Sequence, residues 1–226
     1  MSKVLSNLNT KETYKSLSIL KEIQDNIPER SFHLQGHIIY DLINMLDKER
    51  VTYAEIGSYC GASASLAASN KKVANLYCID PLVLKKEHYR GSLSQEETLR
   101  KNLLKINTSA KIKIFKKYSN DKELFEYFKN KSIDILYIDG DHRFNGVVSD
   151  FENYKGFISP GGFIIFDDYY DLKYSPEVKK AVDFILKENY YIGFEPLGCP
   201  DNVNNIKFQR KNNLNKISSF IFQKKL

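Results

Sequence analysis

The chain has 226 residues, 42% hydrophobic and 27% charged, with 34 basic against 28 acidic side chains and a formal net charge of +6. That is apolar material for one full core, which excludes a disordered chain, and no window approaches the roughly 20 apolar residues that a membrane-spanning helix needs. The basic excess is scattered, its densest pieces being Lys111 to Lys117 and Lys224-Lys225, so nucleic acid is not an expected partner.

The N-terminus shows no apolar leader, and the cysteines (Cys60, Cys78, Cys199) are odd in number, far apart and without a C-x-x-C pair. A disulfide framework and a structural zinc site are both disfavoured, and a cytoplasmic protein in a reducing compartment is expected.

In chain order, residues 11–26 place Tyr14, Leu17, Leu20 and Ile23 at helical spacing, and residues 35–48 do the same with Ile38, Ile39, Leu42, Ile43 and Leu46. Residues 1–48 therefore read as a helical extension, a cap or an interface through which the chain could pair with a second copy, and residues 49–226 as the main domain. Val51 to Ile56 is a strand, the Gly57 to Gly61 turn follows, and Ala62 to Ser69 is a small-residue helix, the opening of a βαβ unit. Val73 to Ile79 is a second strand, and Ser94 with Glu97 forms a capping box for a helix running to Leu104. Lys111 to Phe115 and Ile133 to Ile138 are further strands, separated by a helix over Asp121 to Lys129. A helix over Gly146 to Tyr154, a turn at Ser159 to Gly162, a strand from Phe163 to Phe166 and a helix over Pro176 to Asn189 follow, with late strands at Ile206 to Arg210 and Ser218 to Gln223. About seven strands with interleaved helices predict an open, largely parallel α/β sheet.

Ligands of such sheets bind beyond the carboxyl ends of the strands. Four strands end in acids there: Glu55, Asp80, Asp139 and the pair Asp167-Asp168. Carboxylates converging on one crevice bind a cation, share protons or repel one another. The turn E-I-G-S-Y-C-G-A-S permits close backbone approach and leads into a helix start that can receive an anion. It is not the dinucleotide fingerprint, because Tyr59 stands where the second glycine belongs, and it lacks the G-K-[ST] of a phosphate-binding loop. A nicotinamide enzyme is thereby disfavoured.

That turn resembles the cofactor motif of class I S-adenosylmethionine-dependent methyltransferases, especially metal-dependent O-methyltransferases of the catechol type. The later runs I-D-G-D-H-R-F-N-G-V-V-S-D-F and I-S-P-G-G-F-I-I-F-D-D-Y are similar to the branch that methylates sugar hydroxyls of macrolides and aminocoumarins. The resemblance spans about residues 50–170 and implies a seven-stranded, mostly parallel Rossmann-like sheet with helices on both faces. It further implies that Gly57, Tyr59 and Gly61 line the methionine end of the cofactor, with Glu55 beside it, Ser63 at its carboxylate, Asp80 on the ribose and Ser119 at the adenine edge. Asp139, Asp167 and Asp168 match the family's ligands for magnesium or manganese, with Asp139 also beside the cofactor. His142 stands where the family places its general base, although Asp141 could take that role. The catechol branch has lysine at the position of His142 and asparagine at that of Asp168, so both residues point to the sugar branch.

The expected activity is methyl transfer from S-adenosylmethionine to a hydroxyl of a sugar, glycan or other small acceptor, for which a polarising cation and a base near neutrality are suited. The alternatives are a small-phenol O-methyltransferase, a hydroxylase-like chemistry on the same scaffold, and a non-catalytic cofactor-binding subunit.

Overall fold

The computed structural model describes residues 10–27, 37–84, 93–199 and 219–226. In chain order its elements are α1 (Thr10–Asn26), α2 (His37–Met45), β1 (Val51–Ile56), α3 (Ala62–Ala68), β2 (Val73–Ile79), α4 (Gln95–Leu104) and β3 (Lys111–Phe115). They continue as α5 (Lys122–Phe128), β4 (Ile133–Ile138), α6 (Phe144–Tyr154), β5 (Ile158–Phe166), α7 (Pro176–Lys187), β6 (Phe194–Gly198) and β7 (Phe220–Lys224).

Side-chain alternation places the sheet between two apolar layers. Tyr53, Ile135, Tyr137, Phe163 and Ile165 join one core, while Ala54, Leu136, Ile138, Ile164 and Phe166 join the other. The first is closed by Leu20 and Ile23 of α1, Ile38, Ile39, Leu42 and Ile43 of α2, Leu66 of α3, and Leu99 and Leu103 of α4. The second is closed by Leu124 and Phe128 of α5, Val147 and Phe151 of α6, and Val178 and Val182 of α7. Burial on both faces is why the central strands read as near-continuous apolar runs.

The sheet has seven strands in the order β3-β2-β1-β4-β5-β7-β6. The pairs from β3 to β5 are parallel, and β7 runs antiparallel to both β5 and β6. The expected Rossmann-like α/β architecture is present. Strand order reverses beside β1, where β2 lies on one side and β4 on the other.

Local chemistry sets the element ends. Ser94 accepts from the Glu97 backbone amide while the Glu97 side chain accepts from the Ser94 amide, the expected capping box of α4. Leu20 and Ile23 of α1 and the apolar residues of α2 are buried in the first core, and Ser16 Oγ donates to Asp41 Oδ1 at 2.6 Å between the two helices.

Two expectations change. The strand begins at Ile158, not Phe163: Ile158 pairs with Ile133 and Phe163 with Ile135, so Ser159–Gly162 loops out inside the strand, with Gly161 at φ 76°. The sixth strand lies at Phe194–Gly198, a short strand at the edge of the sheet among the described residues, a place that tolerates Pro196. The strand expected at Ile206 to Arg210 falls outside the described residues.

Candidate active site

The parallel ladders do not stop at the strand ends but run one residue further, into the acids. Asp80 N donates to Phe115 O at 3.1 Å, Asp139 N to Ile56 O at 2.9 Å and Asp167 N to Ile138 O at 3.0 Å. Asp139 and Asp167 therefore occupy neighbouring rungs on adjacent strands. With strands about 4.8 Å apart, the exits of β3, β2, β1, β4 and β5 form a row about 19 Å long. A cavity of about 680 Å³ follows this row. Of the residues singled out from sequence, Gly57, Tyr59, Asp80, Ser119, Asp139, Asp141, His142, Asp167 and Asp168 line it.

The turn after β1 is held by contact and by hydrogen bonding. Gly57 has φ 91°, and a Cβ there would lie 1.9 Å from the Asp139 carbonyl oxygen, so only glycine lets the exits of β1 and β4 meet. Tyr59 also adopts a left-handed conformation, φ 45°, and its amide donates to Asp80 Oδ2 at 2.8 Å. The missing middle glycine is thus replaced by a tyrosine in a glycine-like conformation, tied to the acid that ends β2. Asp80 Oδ1 accepts from Leu82 N at 2.7 Å and from Gln95 Nε2 at 3.3 Å. Burial raises the Asp80 carboxyl, and these donors pull it back.

Glu55, Gly61 and Ser63 are not part of the cavity lining. Glu55 is fully buried behind the wall and accepts from Tyr53 Oη at 2.8 Å. Burial pushes its carboxyl up to about 7, against the pull of the Tyr53, Ser63 and Ser58 hydroxyls. Gly61, at φ 86°, is the N-cap of α3, whose first residues, Ala62 and Ser63, are buried.

At the β4–β5 end the acids gather around a histidine. His142 Nε2 is 3.1 Å from Asp139 Oδ1, and His142 Nδ1 is 3.8 Å from Asp168 Oδ2. Ligand-capable atoms of Asp139, His142 and Asp168 all lie within 4.8 Å of one another. Burial and the neighbouring Asp167 push the Asp139 carboxyl up, whereas the hydrogen bond to Asp139 and the surrounding carboxylates raise His142 to about 9. Asp141 is drawn away from the cluster by Arg143, whose guanidinium reaches both its oxygens at 2.6 to 3.1 Å and lowers its pKa. Of the two candidate bases, His142 faces the carboxylates. Asp134, the other acid of β4, serves a different purpose, accepting from Ser159 Oγ at 2.6 Å, Thr52 N at 2.8 Å and Lys48 Nζ at 2.5 Å.

Two serines escaped the sequence reading. Ser175 Oγ bridges His142 Nδ1, at 2.9 Å, and Asp168 Oδ2, at 2.8 Å. Ser219 Oγ donates to Asp167 Oδ1 at 3.0 Å. Their one sequence signal is position: Ser175 directly precedes Pro176 at the start of α7, and Ser219 directly precedes β7.

The donor set suits a hard cation. Among the described residues the structure brings the ligand-capable atoms of Asp139, His142 and Asp168 together, with Asp139 and His142 half-buried, while the third expected ligand, Asp167, is not in that group; the group's carboxylate oxygens suit magnesium or manganese.

A Rossmann-like sheet with its polar cavity along the strand exits, acids at three of them and a glycine turn after β1, has the layout of a nucleotide-type cofactor site. The chain belongs to the methyltransferase-domain family, which matches residues 54–169. It is 40% identical over 196 residues to an uncharacterised protein of Acanthamoeba polyphaga mimivirus, covering 82% of this chain and 85% of the relative. Its fold is similar to that of an O-methyltransferase from Bacillus cereus solved with S-adenosylhomocysteine (TM-score 0.57, 16% identity, covering 98% of this chain and 100% of that one). An rRNA methylase from Streptococcus thermophilus also shares the fold (TM-score 0.54, 12% identity, covering 85% of this chain and 96% of that one), so the fold leaves the acceptor open. No helix among the described residues is long and apolar enough to cross a membrane.

Proposed function

We propose that this protein transfers the methyl group of S-adenosylmethionine to a hydroxyl oxygen of a small acceptor, a sugar or glycan hydroxyl in the first instance. The observation that carries the reading is the single cavity that holds the glycine turn and Asp80 toward one end and the Asp139–His142–Asp168 cluster at the other. Family membership and the solved relative with S-adenosylhomocysteine support the cofactor.

Asp80 is suited to the ribose hydroxyls, and Gly57 and Tyr59 to the backbone side of the methionine. Asp139, Asp167 and Asp168 would hold the divalent cation, which supplies Lewis-acid polarisation of the acceptor hydroxyl. The acceptor oxygen forms a bond to the methyl carbon, the carbon–sulfur bond breaks with its electron pair going to sulfur, and the hydroxyl proton passes to His142 Nε2. Ser175, on the other ring nitrogen, holds the ring with Nε2 on the Asp139 side, where it would take that proton.

The same proposal takes residues 49–226 as the catalytic domain, residues 1–48 as its cap, and a cytoplasmic setting without membrane or nucleic-acid partners. A small-phenol acceptor is the second reading, favoured by Tyr174, which lines the cavity and is 75% exposed at its mouth. The test is transfer of labelled methyl from S-adenosylmethionine to a panel of nucleotide sugars, glycosides and catechols, with magnesium and with chelator. Labelling of glycosides in magnesium alone is the expected result. Labelling of catechols alone selects the second reading, and cofactor binding without turnover on any acceptor points to a non-catalytic subunit.

A further inference from the structure

Lysines spaced along the sequence gather on one edge of the sheet. Residues 100–131 hold ten basic side chains against three acidic, a net +7 beside the +6 of the whole chain, so the remainder of the chain nets −1. They form the end of α4, β3 and α5, and β3 is the outermost strand on its side of the sheet among the described residues.

On this edge two ammonium groups share one ring. Lys113 of β3 places Nζ 3.9 Å from the Tyr127 ring centroid, and Lys131 places its own 4.1 Å from it while donating to Tyr127 O at 3.1 Å. No more than about 8 Å therefore separates the two charges. Both lysines are exposed, and neither has a carboxylate partner among the described residues, whereas Lys116, Lys117 and Lys129 are paired with Glu96, Asp121 and Glu126. The ring holds together two charges that repel each other. An anion making charge-assisted bonds of about 2.8 Å to each would span that gap and relieve the repulsion.

The edge leads to the cavity. The chain leaves β3 at Phe115, and Tyr118, 63% exposed, lines the cavity, within about 18 Å of Lys113 at full extension. Asp139, Asp141, Asp167 and Asp168 also line the cavity, so negative charge is favoured on the edge and disfavoured inside. Nucleic acid fits poorly, because bases stack on open aromatic faces and the Tyr127 ring already carries the two lysines.

We propose that the β3 edge, centred on Lys113 and Lys131, docks an anionic glycan, a chain bearing uronate, sulfate or phosphate groups. A neutral unit of that chain enters the cavity while its charged neighbours stay on the lysines. The proposal rests on the glycan-hydroxyl reading above and names the acceptor class.

The test is binding of a fluorescently labelled oligogalacturonate to the full chain, beside a neutral maltooligosaccharide of equal length and an oligodeoxythymidylate of equal charge. The parent should bind the galacturonate about tenfold tighter or more than either control, and less tightly as salt rises. Lys113→Gln with Lys131→Gln should lower that affinity about tenfold or more. Lys71→Gln with Lys225→Gln, which removes the same charge from other exposed positions, should leave it unchanged. Lys111→Gln, on the same face of β3 as Lys113, should give a smaller loss, and it supplies a second reading if the first pair does not fold. Equal losses in the two pairs, tighter binding of the oligodeoxythymidylate, or no preference for galacturonate over the neutral chain overturns the proposal alone, because methyl transfer to neutral glycosides is measured separately. If no glycoside accepts a methyl group, the glycan reading falls and this assignment with it.

Discussion

Ser175 Oγ lies 2.9 Å from His142 Nδ1 and donates to Asp168 Oδ2 at 2.8 Å, so one hydroxyl orients both the histidine and a carboxylate of the same cluster. With its proton on Asp168, Ser175 can only accept from Nδ1–H, which leaves Nε2 as the nitrogen facing Asp139.

Removing that hydroxyl should impair turnover rather than binding. Ser175→Ala is expected to lower kcat about 10-fold or more, the scale of an outer partner of a site residue, and to leave the affinity for S-adenosylhomocysteine unchanged. Steady-state kinetics beside calorimetry makes the distinction. Equal losses in kcat and affinity would show a collapsed site instead.

Asp139→Asn should abolish methyl transfer without unfolding the protein. Burial and Asp167 already penalise the Asp139 charge, so a neutral isostere relieves repulsion, and the melting temperature without cation should hold or rise. A lower melting temperature would mean that Asp139 holds the fold together through bonds beyond its charge.

In cation-free protein His142 is an imidazolium at neutral pH, because Asp139 and its neighbours raise it to about 9. A cation that neutralises those carboxylates removes the cause, and the ring should return toward its usual value near 6.5. Histidine NMR titration with and without magnesium checks this. An unchanged pKa in saturating magnesium would separate His142 from the cation site, and stripping magnesium with chelator should silence the enzyme.

Glu55 makes stability depend on pH in an unusual direction for an acid. Its folded pKa, about 7, lies above its ordinary 4.5, so the folded state binds the proton more tightly. Stability is then greatest below pH 4.5, declines as pH rises toward 7, and levels off above it. The difference is about 3 kcal/mol by linkage. Subtracting the Glu55→Gln unfolding profile from that of the parent should isolate this slope. A parallel pair of profiles would show that Glu55 is solvated in solution.

The sequence was most readable where one local pattern carries the outcome. Strands β1, β2, β4 and β5 are buried on both faces, so their apolar runs stand out, and their ladders continue into Asp80, Asp139 and Asp167, so the acids mark the exits. Strand β6 reads poorly because Phe194–Gly198 mixes Glu195 and Pro196 into an edge position that needs few apolar residues. Ser175 and Ser219 could not be paired with His142 and Asp167, 33 and 52 residues away, because only the folded chain joins them. The resemblance puts Glu55 beside the cofactor; that the tyrosine two residues earlier donates to its buried carboxylate is a contact no motif reports. Tyr59 looked like a missing glycine because sequence reports the residue type and not the φ angle that Asp80 enforces.

The close approach of Gly57 to the Asp139 carbonyl also bears on how the enzyme would assemble its reactants. The turn proposed to hold the methyl donor and the strand end that begins the carboxylate cluster touch backbone to backbone, with no side chain between them to yield. A shift in either would therefore be carried to the other, and under the proposed reading cofactor and cation would each preshape the berth of the other.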